Sequence, residues 1–492
     1  MAAKKIVILY KRGAQPDTQL LSLLESALSP PEYDVFIDRH LKIGVEWARV
    51  IEEKIRGADA VIALLSDAAL SSEMLEYEVE ITLDERLRHQ APLLLPIRIG
   101  SDLPPKGTVG SLLSSIQYST WHGTADNATV LSEIVDVLTA TCSPEPQEAL
   151  VDLPLKTLPP ESPMYIQRPT DSELRKALDE RESIILIKGP RQVGKTSLIA
   201  HGIRMQRERG GRFVTSDFQQ LTSAHIADED TCYRVLAANM ARQLKFRYDF
   251  DTEWLPMFGP GSNFHNFLRA LVLSSETPLA WFMDEVDRLF TASFSGDFFA
   301  LVRSWHGAQA MEPDVDWSRL SIVITYATEA HLFIQDLNQS PFNVGRQLAL
   351  RNFDFAQTEE LNERYGTPLR NVDQVQWLFE QIEGHPALTR RALDYLVKTG
   401  GDLRRLMANA LAEDGPFGDH LRRVLVSVSH LDGVMTAMRE SLSNVMLRDS
   451  IDVQRLIAAG ILVRRPSGNY AVRCNLYRQY LELHLRQGKG SP

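Results

Sequence analysis

Eight residues, GPRQVGKT at Gly189–Thr196, constrain this chain more than any other stretch. They fit the pattern G-x-x-x-x-G-K-[ST]. An apolar run, Ile184 to Ile187, precedes them, and a helix-like run, Ser197 to Ile203, follows. Strand, loop and helix in that order are the context in which backbone N–H groups close around phosphate oxygens at a helix N-terminus. Gly189, Arg191, Gln192, Val193, Gly194, Lys195, Thr196 and Ser197 are therefore the expected nucleotide contacts. Lys195 is placed to reach the β- and γ-phosphates of ATP or ADP, and Thr196 to hold Mg²⁺.

A second stretch supports the first. Pro278 to Met283, PLAWFM, reads as a buried strand and runs straight into Asp284 and Glu285. An acidic pair at the carboxyl end of such a strand is what phosphoryl chemistry sets against its metal. Asp284 is expected to bind Mg²⁺, directly or through water, and Glu285 to orient the attacking water. Thr325, at the end of another apolar run, is a candidate sensor of the γ-phosphate.

Size and composition narrow the class. A chain of 492 residues is long enough for about three domains. Its 44% hydrophobic and 24% charged residues are those of a globular protein. Cys142, Cys232 and Cys474 are far apart and odd in number, so neither a disulfide framework nor a metal-ligand spacing is expected. A reducing, cytoplasmic setting follows. The opening MAAKKIVILYKRG reads as a strand, not a signal peptide. No run approaches the ~20 apolar residues of a membrane span, so no membrane partner is expected.

The net charge of −11 is uneven. Residues 1–143 hold 13 Lys and Arg against 20 Asp and Glu, whereas 417–492 hold 11 against 6. The two ends could attract within or between subunits. The preferred reading is two separately solvated surfaces.

Residues 1–143 alternate short apolar runs with amphipathic ones. Strands are predicted at Lys5–Tyr10, Tyr33–Asp38, Asp59–Leu65, Leu93–Ile97 and Ile116–Thr120, and helices at Asp17–Leu28, Val45–Arg56, Met74–Arg88 and Ala128–Thr139. The fold class is α/β, a parallel sheet covered on both faces. Ligands on such a sheet sit beyond the carboxyl ends of its strands.

The ordered set IVILYKRG, YDVFIDRHLKIGVEW (33–47) and ADAVIALLSDAALSSEMLEYEVE (58–80) resembles a TIR domain. Many bacterial and plant members cleave NAD⁺ between nicotinamide and ribose. The resemblance places the family's glutamate on Glu78, with Glu76 and Glu80 as alternatives of register. On a helix Glu78 has Met74, Leu75, Ile81 and Thr82 as neighbours, a partly apolar rim at the helix surface, while Glu76 and Glu80 form a more solvated stripe. A carboxylate there suits an oxocarbenium-like ribose. Pocket residues implied by the resemblance are Tyr10, Arg12, Asp38, Trp47 and Ser66. Two departures stand out: LYKRGAQPD lacks the usual Ser-Tyr pair and acidic residue, and Met74 occupies the place of a pocket tryptophan.

Residues 144–163, rich in proline and acidic residues, read as a linker. From Met164 to Leu396 the pieces IQRPTDSEL, GPRQVGKTS, FVTSDFQQL, WFMDEVD, RLSIVITYAT, SPFNVGRQLAL and EGHPAL resemble AAA-like ATPases related to STAND signalling NTPases. That resemblance makes Arg168, His385 and Pro386 elements flanking the nucleotide. The core is expected over 164–352 and a lid of three short helices over 353–409. Residues 410–492 read as helix, helix, helix, two short strands and a final helix, a winged-helix pattern. Arg464, Arg465 and Arg473 on it suggest DNA as one partner; an internal part of the switch is the preferred reading.

The combined expectation is a bacterial TIR effector on a STAND-like ATPase, α/β in both main domains. Nucleotide or a trigger, phage-derived in the defence reading, would promote self-assembly, and assembled TIR domains would hydrolyse NAD⁺. Alternatives are a non-catalytic TIR scaffold and a nucleic-acid-binding regulator.

Overall fold

The computed structural model describes residues 3–28, 30–38, 45–89, 91–101, 103–105, 107–113, 116–139, 162–222, 224–327, 341–429, 431–443, 445–465 and 467–486. The expected linker at 144–163 lies outside the described residues except for its last two. The chain divides into two compact units. The first joins Met1–Lys156 to Lys398–Met446 and Cys474–Pro492; the second joins Thr157–Val397 to Leu447–Arg473. Residues 410–492, read above as one module, thus contribute to both.

The first unit is built on five parallel strands: β1 (Lys4–Leu9), β2 (Tyr33–Phe36), β3 (Ala60–Leu65), β4 (Leu93–Ile99) and β5 (Ser119–Trp121). Their order is β2-β1-β3-β4-β5. β3, AVIALL, is buried along its whole length, as a central strand covered on both faces must be. The chain leaves β1 for the β2 edge and returns to β3 on the other side. Ligands bind at such a reversal, beyond the carboxyl ends. Helices Gln15–Ala27, Val45–Arg56, Glu73–His89 and Asn127–Thr139 lie within a few residues of their predicted positions.

Two details differ. The strand predicted at 116–120 falls at Ser119–Trp121, because Trp121 is the residue that enters the core, its indole N–H donating to Asn127. The short helix Gly107–Leu112 was not foreseen. Helices Leu403–Asn409, Gly418–Ser429, Asp432–Leu442 and Asn475–Arg486 complete this unit. Gly418–Ser429 packs on Val45–Arg56 and Glu73–His89.

The second unit has β6 (Ile184–Lys188), β7 (Arg212–Asp217), β8 (Leu279–Asp284), β9 (Leu320–Tyr326) and β10 (Arg346–Ala349), parallel throughout in the order β10-β6-β9-β8-β7. β8 and β9 are wholly buried. An aromatic core fills the space behind them, with Tyr233 stacked on Phe264 and Phe264 edge-on to Trp281. Helices Phe355–Arg364, Val372–Ile382 and Pro386–Lys398 follow, the three expected after the core. Asp354 and Asn371 start the first two by accepting the N–H of Gln357 and Gln374. Helix Ile451–Ala458 and the antiparallel hairpin β11 (Leu462–Arg464) and β12 (Tyr470–Val472) belong here too. Among the described residues no helix is long and apolar enough to cross a membrane.

Candidate functional site

The loop at 189–194 joins β6 to helix Lys195–Glu208. Its conformation explains its glycines. Gly194 sits at φ 100°, where a Cβ would lie 2.9 Å from the Arg168 guanidinium. A Cβ on Gly189 would meet Val193 at 2.8 Å and the Leu350 carbonyl at 2.9 Å. Gln192 is also left-handed, at φ 61°. Arg191 is exposed and Val193 buried; Gln192, Thr196 and Ser197 are half-buried.

Lys195 is buried at the start of the helix. Its ammonium donates to the carbonyls of Gly189 (3.1 Å) and Pro190 (3.3 Å) and stands 3.8 Å from the Glu285 carboxylate. Arg168 braces the loop from behind. Its guanidinium donates to the Val193 carbonyl at 2.7 Å and to that of Arg351 at 3.3 Å. Asp171 fixes its backbone by accepting the Arg168 N–H. Arg168 therefore holds the loop's shape.

The order of strands brings the acidic pair to the loop. β8 ends at Asp284 beside β9, which places Thr325 against it. The Thr325 hydroxyl donates to Asp284, and the Glu285 N–H points to both Asp284 (3.1 Å) and Thr325 (3.2 Å). Thr196 also hydrogen-bonds Asp284. Burial first, and then Glu285, push the Asp284 carboxyl up, against Thr196, Thr325 and Lys195. Glu285 takes a left-handed φ of 54° as the chain turns into the short helix Val286–Thr291. A hydroxyl beside a buried carboxylate that lacks full compensating charge fits Mg²⁺, which keeps several waters and takes few protein ligands.

The Gly384–His385–Pro386 turn is fixed by its glycine. Gly384 has φ 64°, and a Cβ there would sit 2.0 Å from the Phe353 carbonyl oxygen. His385 is buried and Pro386 begins helix Pro386–Lys398. Of the three candidate DNA-binding arginines, Arg473 is buried with its guanidinium on Asn352. Arg465 makes a bidentate pair with Glu383 at 2.6 and 2.8 Å. Arg464 is exposed beside Tyr470.

In the first unit Glu78 is 5% exposed. This corrects the expectation that it lies at the helix surface. It shares a cavity with Val7 to Leu9 of β1, with Tyr10 just after that strand, and with Phe36, Asp38, Ile51 and Ile55. Burial first, and then Asp38, hold its carboxyl well above the usual range, with Arg422 and Arg12 opposing. The cavity's empty volume is about 270 Å³ even with its open part included, below the ~300–1,000 Å³ of ordinary ligand pockets. Tyr10, Asp38 and Glu78 are thus brought together. Arg12 adjoins them, paired with Asp38 at 2.8 Å and 6.0 Å above the Trp47 ring. Ser66 instead caps the turn after β3, accepting the Ala69 N–H at 3.1 Å, and bonds the buried Asp17. Met74 is buried a turn before Glu78 and does not line the cavity. Glu76 and Glu80 are half-buried.

Residues missed from sequence are Lys11, Glu413, Asp419 and Arg422. Lys11 pairs with Asp419 at 2.7 Å, Arg12 with Glu413, and Asp419 with Arg422 at 2.5 Å. Lys11 and Arg422 hold the Asp419 carboxyl down at about 2 although burial opposes them. Nothing in the local sequence around 413–422 announces this contact with the N-terminal sheet.

Comparison with known proteins agrees with this architecture. A family described as AAA-like domain matches residues 153–483, and a TIR domain family matches residues 6–135. One curated relative, an uncharacterized WD repeat-containing protein of Synechocystis, is 26% identical over 253 residues, 49% of this chain. The chain spans only 21% of that relative's length. Among solved structures, a Walker-type ATPase of Pyrococcus abyssi aligns with 17% identity and TM-score 0.43 over 65% of this chain and 96% of its own. The ORC2 protein of Aeropyrum pernix aligns with 13% identity and TM-score 0.39 over 65% and 94%. DnaA from Aquifex aeolicus aligns with 15% identity and TM-score 0.34 over 66% and 89%. With the larger part of its length matched, the chain belongs to the AAA-like domain family, and it carries a TIR domain at its N-terminal end.

Proposed function

We propose that this protein is an NAD⁺ hydrolase whose TIR domain is governed by nucleotide-dependent self-assembly through its AAA-like domain, in the cytoplasm of a bacterium and in defence against phage. The observation that carries the reading is Glu78: a carboxylate on a cavity wall beside Asp38 and Tyr10, at the carboxyl end of β1. Cleavage breaks the bond between ribose and nicotinamide. The bonding pair leaves with nicotinamide, which becomes neutral, and positive charge develops on the ribose. A nearby carboxylate stabilises that charge. Water then adds to the ribose carbon and loses a proton. The present cavity is too small for a dinucleotide, so opening is part of the cycle.

On the nucleotide side, Gly189–Ser197 would wrap the phosphates of ATP or ADP and Lys195 would neutralise them. Bound Mg²⁺ would draw charge from the phosphates; Thr196 and Asp284 are the residues to hold it. Glu285 would orient water for hydrolysis, and Thr325 ties the strand end to Asp284. Arg168 supports the loop backbone. His385 and Pro386 would carry nucleotide state into the lid helices.

The test is NAD⁺ cleavage across protein concentration, with and without ATP. Turnover per molecule should rise with both. A protein assembled with ATP that leaves NAD⁺ intact would favour the rival reading, a TIR scaffold, for which Met74 in place of tryptophan speaks. The DNA-binding reading is weakened by the internal engagement of Arg465 and Arg473.

A further inference from the structure

Residues 413–422 lie in the same compact unit as the TIR cavity, and the helix Gly418–Ser429 packs on Val45–Arg56 and Glu73–His89, the helices that carry Ile51, Ile55 and Glu78 of the cavity wall. The charges of 413–422 have an order. Glu413 and Asp419 are anions, seated on Arg12 and Lys11 just after β1. Arg422 is a cation, 3% exposed, paired with Asp419 at 2.5 Å on the helix that packs on Glu73–His89. The anionic pyrophosphate of a dinucleotide presents the same charge as Glu413 and Asp419. Contacts around the rim hold the segment down. Arg423 donates to the Glu73 carbonyl at 2.9 Å; His420 bridges Glu73 (3.1 Å) and the Tyr477 hydroxyl (2.6 Å); Arg49 pairs with Asp432 at 2.7 Å.

We propose that residues 413–422 are an internal stand-in for the dinucleotide: they occupy Lys11 and Arg12 with the anionic charge a substrate would bring, and shut the TIR cavity until they are withdrawn. The inference rests on the hydrolase reading for the identity of what is displaced. It adds Lys11 to Arg12 as the cationic subsite for the pyrophosphate. The closure is also an imperfect one. The Trp47 indole N–H, the Arg422 Nε and the Tyr480 hydroxyl are buried without hydrogen-bond partners among the described residues. Unpaired buried donors cost free energy, so opening regains part of what the broken contacts lose.

The experiment uses the full chain in a Glu78→Gln background, which allows NAD⁺ binding to be measured without turnover. Glu413→Gln with Asp419→Asn removes the two anions. Arg423→Glu, outside the pocket, loosens the rim by a different contact and serves if the double variant does not fold. NAD⁺ affinity is read by calorimetry, and opening by amide exchange in helix Glu73–His89. The apparent Kd is the intrinsic Kd divided by the fraction of open molecules. If about one molecule in ten or fewer is open, Kd should fall roughly tenfold or more, with faster exchange. An unchanged Kd in both variants overturns the proposal, whether exchange rises or not. The same substitutions with Glu78 restored separate the two readings. Tighter binding without any cleavage leaves the stand-in in place and removes the hydrolase.

Discussion

Lys195→Ala puts the nucleotide site to a quantitative test. The ammonium is 3% exposed in its side chain and held by two carbonyls and Glu285. A charge-assisted hydrogen bond is worth ~1.5–3 kcal/mol. Binding must first strip the lysine from its two carbonyl partners, each a bond of about 1 kcal/mol net. The net loss in the variant should therefore sit near the low end, about 1.5 kcal/mol, which is roughly tenfold in Kd. Calorimetry with ATP and Mg²⁺ measures it directly. Removal of the ammonium also takes away one of the influences that favour an ionised Asp284, so Mg²⁺ dependence should steepen in the variant. ATP affinity equal to that of the parent would show that Gly189–Ser197 is not the phosphate site.

Glu285→Gln keeps the size of the side chain and loses its base; hydrolysis should fall roughly a hundredfold or more, with ATP binding retained, and hydrolysis at the parent rate refutes the role. Gly384→Ala forces a side chain onto a left-handed backbone and against the Phe353 oxygen, so denaturant unfolding should show a loss of at least ~1–3 kcal/mol; no loss contradicts the turn's geometry. Glu78→Gln should also alter the pH dependence of stability. The folded carboxyl lies well above its ordinary value, so the folded state binds more protons than the unfolded chain between the two values. Stability therefore falls as pH rises through that window, upward from the ordinary glutamate range. The neutral glutamine escapes this, and its advantage over the parent should grow with pH. Parallel pH profiles would refute burial as the cause.

The phosphate loop was legible because its chemistry is contiguous: eight residues specify two tight backbone positions, a cation and a hydroxyl. The acidic pair was legible for a related reason. A wholly apolar strand ending in Asp284 and Glu285 can point only to the strand's carboxyl edge. Glu78 was found on its helix, but its burial was not. Helix Gly418–Ser429, more than three hundred residues on, packs on the helix that carries Glu78, and no helical periodicity reports such a contact. The regional charge counts misled for a physical reason. An acidic first domain and a basic C-terminal stretch read as separate solvated surfaces, yet ion pairs join them, and some of these use the minority charges. Lys11 of the acidic part meets Asp419, and Arg49 meets Asp432. Net charge averages over the surface, whereas pairing is decided at single side chains. The arginines at 465 and 473 gave a basic pattern in sequence, but packing spends them on Glu383 and Asn352.

NAD⁺ turnover by the ATP-assembled protein, parent against Glu78→Gln, tests the central claim most directly. The glutamine removes one negative charge from the place where positive charge should develop on ribose. Stabilisers of that kind are worth roughly 3–4 kcal/mol, about 10²–10³ in rate. The variant should still assemble on sizing and cleave NAD⁺ hundreds of times more slowly, while Glu76→Gln and Glu80→Gln retain most activity. Cleavage by assembled Glu78→Gln at the parent rate would contradict the account.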